Sequence, residues 1–185
     1  MKEFGLAWFA ENVRIVSREV DYYCTELSEN QLNWKAQEDQ WSIGQCLEHL
    51  INTNHSFFLT FEKCERYQYK LPYSWLPFIP RKAGKRVISE ITKLDIPQQS
   101  PELFEPIQEG YTKMIVTSFS DHQRDLIGIV DSMKHLNFDQ EVIASPALGI
   151  IHYSLRDAIK MLVFHEQRHL EQIKALLNHK NFPVK

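Results

Sequence analysis

The chain has 185 residues, of which 43% are apolar, and this suits one domain built around a single sizeable core. Its 21 basic and 24 acidic residues are spread along the sequence, and a formal charge of -3 leaves no electrostatic footprint for DNA, RNA or an anionic membrane. No apolar run approaches the roughly 20 residues of a bilayer span, and the opening Met1-Lys2-Glu3-Phe4 lacks the apolar core of a signal peptide, so a cytosolic protein is expected.

Leu6, Phe9, Val13, Val16, Val20, Cys24 and Leu27 recur at steps of three or four, which predicts a helix over residues 3–27 with one apolar stripe. After a polar linker, Ser42 with Gln45 three positions later has the pattern of a capping box, in which each side chain satisfies a free amide of the first turn. A second helix follows over 43–66, with Ile43, Leu47, Leu50, Phe57, Phe61 and Cys64 on its stripe, Ile51 and Phe58 widening it, and His49 beside it. Cys24, Cys46 and Cys64 are odd in number and show no Cys-x-x-Cys spacing, so they read as buried, inert thiols.

Residues 67–111 have a different texture. Pro72, Pro77, Pro80, Pro97, Pro101 and Pro106 occur with Gly84 and Gly110, and proline removes helix donors, so no long regular helix is expected. So long a connection in a compact domain predicts a crossover that also covers a site. The Tyr73-Ser74-Trp75-Leu76-Pro77-Phe78 cluster would anchor it to the core, cover a pocket mouth or present a homodimer surface.

A third helix is predicted over 112–135, with Ile115, Phe119, His122, Leu126, Ile129 and Met133 facing inward. A loop with Pro146 and Gly149 fills 137–153, without convincing strand signal. Ser154 with Asp157 then starts a fourth helix over 154–178, whose inward face carries Leu155, Ala158, Ile159, Leu162, His165, His169, Ile173 and Leu176. Four amphipathic helices without internal repeats predict an all-α four-helix bundle over residues 1–185. Short joins between the first and second and between the third and fourth, with a long join between the second and third, predict an up-down-down-up course.

The run His165-Glu166-Gln167-Arg168-His169 is where this fold meets chemistry. Four helical residues at about 100° each bring both imidazoles onto one face, where they can chelate one divalent ion. A lone histidine on a core stripe usually just satisfies a hydrogen bond. Two together incur a desolvation cost that metal ligation would offset. His49 borders the inward face of its own helix, so His49, His165 and His169 form the candidate metal set, with zinc or nickel the expected ion and iron or manganese open as well, because imidazole does not discriminate sharply among first-row ions. Three protein ligands leave a position for water or substrate.

The same letters match the His-Glu-x-x-His string of metalloproteases. Such proteases need a further ligand downstream, but the nearer positions hold Gln172 and Ala175 and the chain ends 16 residues after His169. Peptide hydrolysis is therefore not expected. Asn52, Thr53 and Ser56, one and two turns beyond His49, are candidate pocket residues, with core-edge hydrogen bonding as the plain alternative. His122 is a candidate substrate contact, extra ligand or catalytic group. Glu166 is a candidate base or ligand-orienting residue, although it sits about 100° from His165 and would serve equally in a surface ion pair. Arg168 reads as a solvated helix residue, and His55, His135, His152 and His179 have no spacing that raises them above background.

The segments Trp41-Ser42-Ile43-Gly44-Gln45-Cys46-Leu47-Glu48-His49-Leu50, Pro146-Ala147-Leu148-Gly149 and Phe164-His165-Glu166-Gln167-Arg168-His169-Leu170-Glu171-Gln172-Ile173 resemble the DinB/YfiT-like superfamily. The resemblance implies a metal-binding four-helix bundle with a long connection after its second helix. It also implies a triad of one histidine on the second helix and a His-x-x-x-His pair on the fourth, which fall here on His49, His165 and His169. It implies less about chemistry, because the superfamily includes thiol S-transferases, a thiol-dependent isomerase, proteins labelled metal-dependent hydrolases and members without known activity. A metal-dependent transferase using a low-molecular-weight thiol as cosubstrate on a small-molecule substrate is the leading expectation. A hydrolase using metal-bound water and a non-catalytic metal-binding bundle are the alternatives.

Overall fold

The stripes of the long helices decide how the chain folds. In the computed structural model, which describes residues 5–66, 78–91, 100–107 and 110–184, the helices are α1 Leu6–Cys24, α2 Glu29–Asn33, α3 Ile43–Glu65, α4 Phe78–Ile91, α5 Met114–Ser132 and α6 Leu155–Leu177. Short 3-10 turns occupy Glu102–Phe104 and Met133–His135. Strands β1 Val142–Ala144 and β2 His152–Ser154 pair antiparallel in a small hairpin.

Phe9, Val13, Val16, Val20 and Cys24 are buried along α1, as the spacing predicts. On α3 the stripe residues Ile43, Leu47, Leu50, Phe57, Phe61 and Cys64 are all buried. Its start is fixed by the Ser42–Gln45 capping box, with both reciprocal bonds formed, and Ser154 caps α6 by accepting from the Asp157 amide.

Two apolar clusters fill the bundle and show the direction of each helix. One collects Phe9 and Val13 from α1, Phe57 and Phe61 from α3, Leu126 and Val130 from α5, and Leu155 to Val163 positions from α6. The other collects Val16 and Val20 from α1, Ile43 to Leu50 positions from α3, Val116 and Phe119 from α5, and Leu170 to Leu176 positions from α6. Going along the chain, α1 and α6 therefore run from the first cluster to the second, and α3 and α5 run back. This is the up-down-down-up course, with α3 and α5 as parallel neighbours joined by the long connection. No helix among the described residues is long and apolar enough to cross a membrane.

Three expectations are corrected. The connection contains a regular helix, α4, packed against α6 and β2. It fits between the prolines because Pro80 falls in the first turn, where a missing N–H breaks no helical bond, and no proline follows until Pro97. The linker before α3 holds the short helix α2, started by a second capping box at Ser28 and Gln31. A strand does precede α6, and it is three residues long. Residues 73–77 of the aromatic cluster, and the side chain of Phe78, lie outside what is described.

Candidate metal centre

His49 lies on α3 two turns after the cap, and His165 and His169 lie one turn apart on α6. Antiparallel packing of α3 on α6 brings the three rings together. Nε2 of His165 is 3.0 Å from Nε2 of His49 and 3.1 Å from Nε2 of His169. One ligand atom from each of the three lies within 4.8 Å of the others.

The outer nitrogens say which atoms are free to bind. Nδ1–H of His49 donates to the carbonyl oxygen of Phe104 at 2.7 Å, and Nδ1–H of His169 donates to Oε1 of Gln172 at 3.0 Å. With the hydrogen on Nδ1, each Nε2 carries a lone pair directed at the shared centre. The Nδ1 of His165 has no hydrogen-bond partner among the described residues, so its Nε2 can either donate to one of these lone pairs or join them as a third donor to a cation. For metal–nitrogen bonds of roughly 2.1 Å, neighbouring donors stand about 3.0 to 3.4 Å apart, which the two short separations match. The three histidines could therefore hold a divalent ion.

Burial keeps these imidazoles in the neutral form that ligation requires. It lowers His49 to about 4, although the Phe104 bond acts against it, and lowers His169 to about 3. His165 falls well below the usual range, first through burial and then through its two imidazole neighbours. His49 is 3% and His169 6% exposed, while His165 is half-buried. The ring of Trp41 lies 4.6 Å from that of His49 and stacks on His169 at 5.9 Å, so it walls one side of the centre.

The other candidates fall differently. Asn52 donates to the carbonyl of Glu105 at 3.4 Å, beside the segment that holds His49. Ser56 donates to the carbonyl of Thr53, and Thr53 is buried with no hydrogen-bond partner for its Oγ1 among the described residues. His122 stacks on Phe58 at 4.9 Å, and no hydrogen bond or ring contact joins it to the three imidazoles among the described residues. The inward face of α5 is Val116, Phe119, Gln123, Leu126 and Val130, so His122 is only half-buried at the edge of that face.

Glu166 is not on the surface. It is fully buried and accepts from Asn54 at 2.7 Å and Gln123 at 2.9 Å, and burial raises it to about 7 against both bonds. Sequence reasoning missed Asn54, Gln123, Trp41 and Phe104. Asn54 and Gln123 had a signal, since each is a polar residue at an apolar stripe position, between Leu50 and Phe57 and between Phe119 and Leu126. Phe104 acts through its backbone and left none.

Residues 14–173 match the family model described as the DinB superfamily. No curated protein and no solved structure matches the chain.

Proposed function

The chain belongs to the DinB superfamily, and on that premise we propose that it is a metal-dependent enzyme acting on small molecules, transferring a low-molecular-weight thiol to an electrophile. The observation that carries this reading is the three-imidazole donor set, which no fourth histidine, cysteine or carboxylate joins among the described residues. A zinc or nickel ion held there would keep a position for an outside ligand and favour the thiolate form of an incoming thiol.

The chain's own groups support transfer of an external thiol over the alternatives. Burial pushes Cys24, Cys46 and Cys64 up to about 12, so none of them is a nucleophile near neutral pH. The nucleophilic sulfur would have to come from outside. Hydrolysis would call for a base that touches water, and Glu166, the carboxylate nearest in sequence, is turned into the core. In the proposed reaction a new S–C bond forms, the electrophile's leaving group departs with its electron pair, and the thiol proton goes to solvent. A cytosolic location and a small-molecule substrate belong to the same reading.

A second reading, a bundle that binds metal without catalysis, draws on the low exposure of His49 and His169. One experiment separates the two: elemental analysis of untagged protein and of His169→Ala, followed by assay of small thiols with a reactive electrophile. Metal in the parent, its loss in the variant and conjugation only by the parent is the expected result. Metal in the parent without conjugation would leave the non-catalytic bundle.

A further inference from the structure

The three imidazoles are not held alike. Nδ1–H of His49 donates to the carbonyl oxygen of Phe104 at 2.7 Å, and Nδ1–H of His169 donates to Oε1 of Gln172 at 3.0 Å. Nδ1 of His165 is buried and has no hydrogen-bond partner among the described residues. The sequence supplies a reason. Gln172 stands three positions after His169 on α6, whereas the position three after His165 is Arg168, whose guanidinium offers donors and no acceptor.

Trp41 deepens the inequality. It directly precedes Ser42, whose capping box fixes the start of α3, so its backbone has a firm seat. Its ring lies 4.6 Å from that of His49 and stacks on that of His169 at 5.9 Å, with 22° between the planes, but makes no ring contact with His165 among the described residues. Exposure follows the same order, since His49 and His169 are buried and His165 is half-buried. Two imidazoles thus each have an acceptor behind them and an indole beside them. For the third, the hydrogen-bond and ring contacts among the described residues are those to the other two, with Nε2 atoms 3.0 and 3.1 Å apart.

An outer acceptor fixes the ring orientation of a metal-binding histidine, and its loss typically weakens metal binding by about tenfold to a hundredfold. We propose that His165 is the yielding ligand of the centre: His49 and His169 form the fixed half, an outside molecule reaches the ion from the His165 side, and His165 gives way when the ligand set changes. The inference rests on the metal-binding reading above and adds a direction of approach to it. Trp41 is then a positioning residue, which closes the centre on the side of the two fixed rings.

Free imidazole tests this. His165→Ala and His169→Ala each remove one ring, and zinc affinity is read by competition with a chromophoric chelator, with and without added imidazole, against the parent under the same conditions. Without imidazole both variants should bind zinc weakly. Imidazole should raise the zinc affinity of His165→Ala by about tenfold or more, because the space left by the ring opens on the exposed side and the added ring replaces the missing donor. It should leave His169→Ala nearly unchanged, because burial and Trp41 close that place.

The metal-free parent provides an independent arm should either variant fail to fold. Acylation of its histidines by diethyl pyrocarbonate, followed by peptide mass spectrometry, should label His165 ahead of His49 and His169. Equal rescue of the two variants, no rescue of His165→Ala, or equal labelling of the three histidines would overturn the proposal while leaving the metal centre intact. A parent chain that binds no zinc would overturn both this inference and the reading it rests on.

Discussion

Nδ1 of His49 meets the carbonyl oxygen of Phe104 at 2.7 Å, across 55 residues of sequence, so a loop backbone sets the direction of a core imidazole. That loop is held at its far end by Tyr111. The Tyr111 backbone exchanges two hydrogen bonds of 2.7 Å with the Asn33 side chain, and its hydroxyl donates to Glu48, which also accepts from the Ile107 amide.

Gly44 is what lets the Tyr111 ring lie against α3, since a Cβ there would collide with Cγ and Cδ2 of that ring. Those atoms are near the root of the side chain and cannot swing away. Gly44→Ala should therefore displace Tyr111 and, through the shared Glu48 contacts, residues 104–107. Helix propensity favours alanine by up to about 1 kcal/mol, but overpacking typically costs about 1–3 kcal/mol, so a net loss is expected. For a chain of this length that is a fall of a few degrees in melting temperature. Metal affinity should fall about tenfold or more as His49 loses its orienting acceptor. Thermal melts with and without zinc, together with a chelator titration, measure both; an unaltered affinity would separate Phe104 from the centre.

Gln172 plays the matching part for His169, from one turn further along α6. Gln172→Leu removes the acceptor of Nδ1–H and leaves the ring free to turn. Zinc affinity should drop about tenfold, with stability of the metal-free protein nearly unchanged because the pair is partly exposed.

The donor set itself has a sharp expectation. His49→Ala, His165→Ala and His169→Ala should each purify with little metal. His122→Ala should keep the parent's metal content, because its ring stacks on Phe58 away from the three imidazoles. Equal loss of metal in the His122 variant would bring α5 into the centre and contradict the geometry.

How far the sequence revealed all this depended on whether the chemistry sits in a side-chain pattern. The four long helices, their stripes and the up-down-down-up course were legible because apolar spacing and the Ser42 and Ser154 caps are local signals, and the long join forces parallel neighbours. The His165–His169 pair was legible from its spacing, and His49 from its place beside a stripe. The helix α4 was hidden by counting prolines without asking which turn each would occupy. On α5 the expected face was rotated by about one residue, which put His122 inward in place of Gln123. The Phe104 contact was invisible because it uses a backbone carbonyl at the end of a short 3-10 turn, which no side-chain pattern marks. Glu166 was misplaced because a carboxylate is expected at the surface, and its burial follows only once Asn54 and Gln123 are opposite it.

The crossover helix α4 is seated on α6 through another close approach. Gly84 is buried, and a Cβ there would lie 2.6 Å from Oδ2 and 2.8 Å from Cβ of Asp157. Asp157 stands in the first turn of α6, where its amide is capped by Ser154, so it has little room to yield. Gly84→Val should lift α4 away from α6 and β2. Amide hydrogen exchange should then accelerate across residues 82–89 while α1 and α3 keep their protection. Uniform loss of protection throughout the bundle would mean that α4 is integral to the core.

Acid should unfold the metal-free protein earlier than its surface charge suggests. Burial lowers His49 and His122 to about 4 and His169 to about 3, and holds His165 well below its usual range. An unfolded chain takes up a proton on each of these near pH 6.5, whereas the fold keeps them neutral. Their contribution to stability is therefore complete above about pH 6.5 and is lost as pH falls toward about 4. Glu166 works in the opposite sense. Burial raises it to about 7, so its contribution is complete below about pH 4.5, the unfolded range, and is lost as pH rises through 7. Four imidazoles outweigh one carboxyl below pH 6.5, so the melting temperature of chelator-treated protein should fall between pH 6.5 and 5. Bound metal should be retained through this window and released only as pH falls toward about 4, where protons begin to compete for the Nε2 atoms of the folded site. A melting temperature flat from pH 6.5 to 5 in the metal-free protein would contradict the neutral, buried state of these rings.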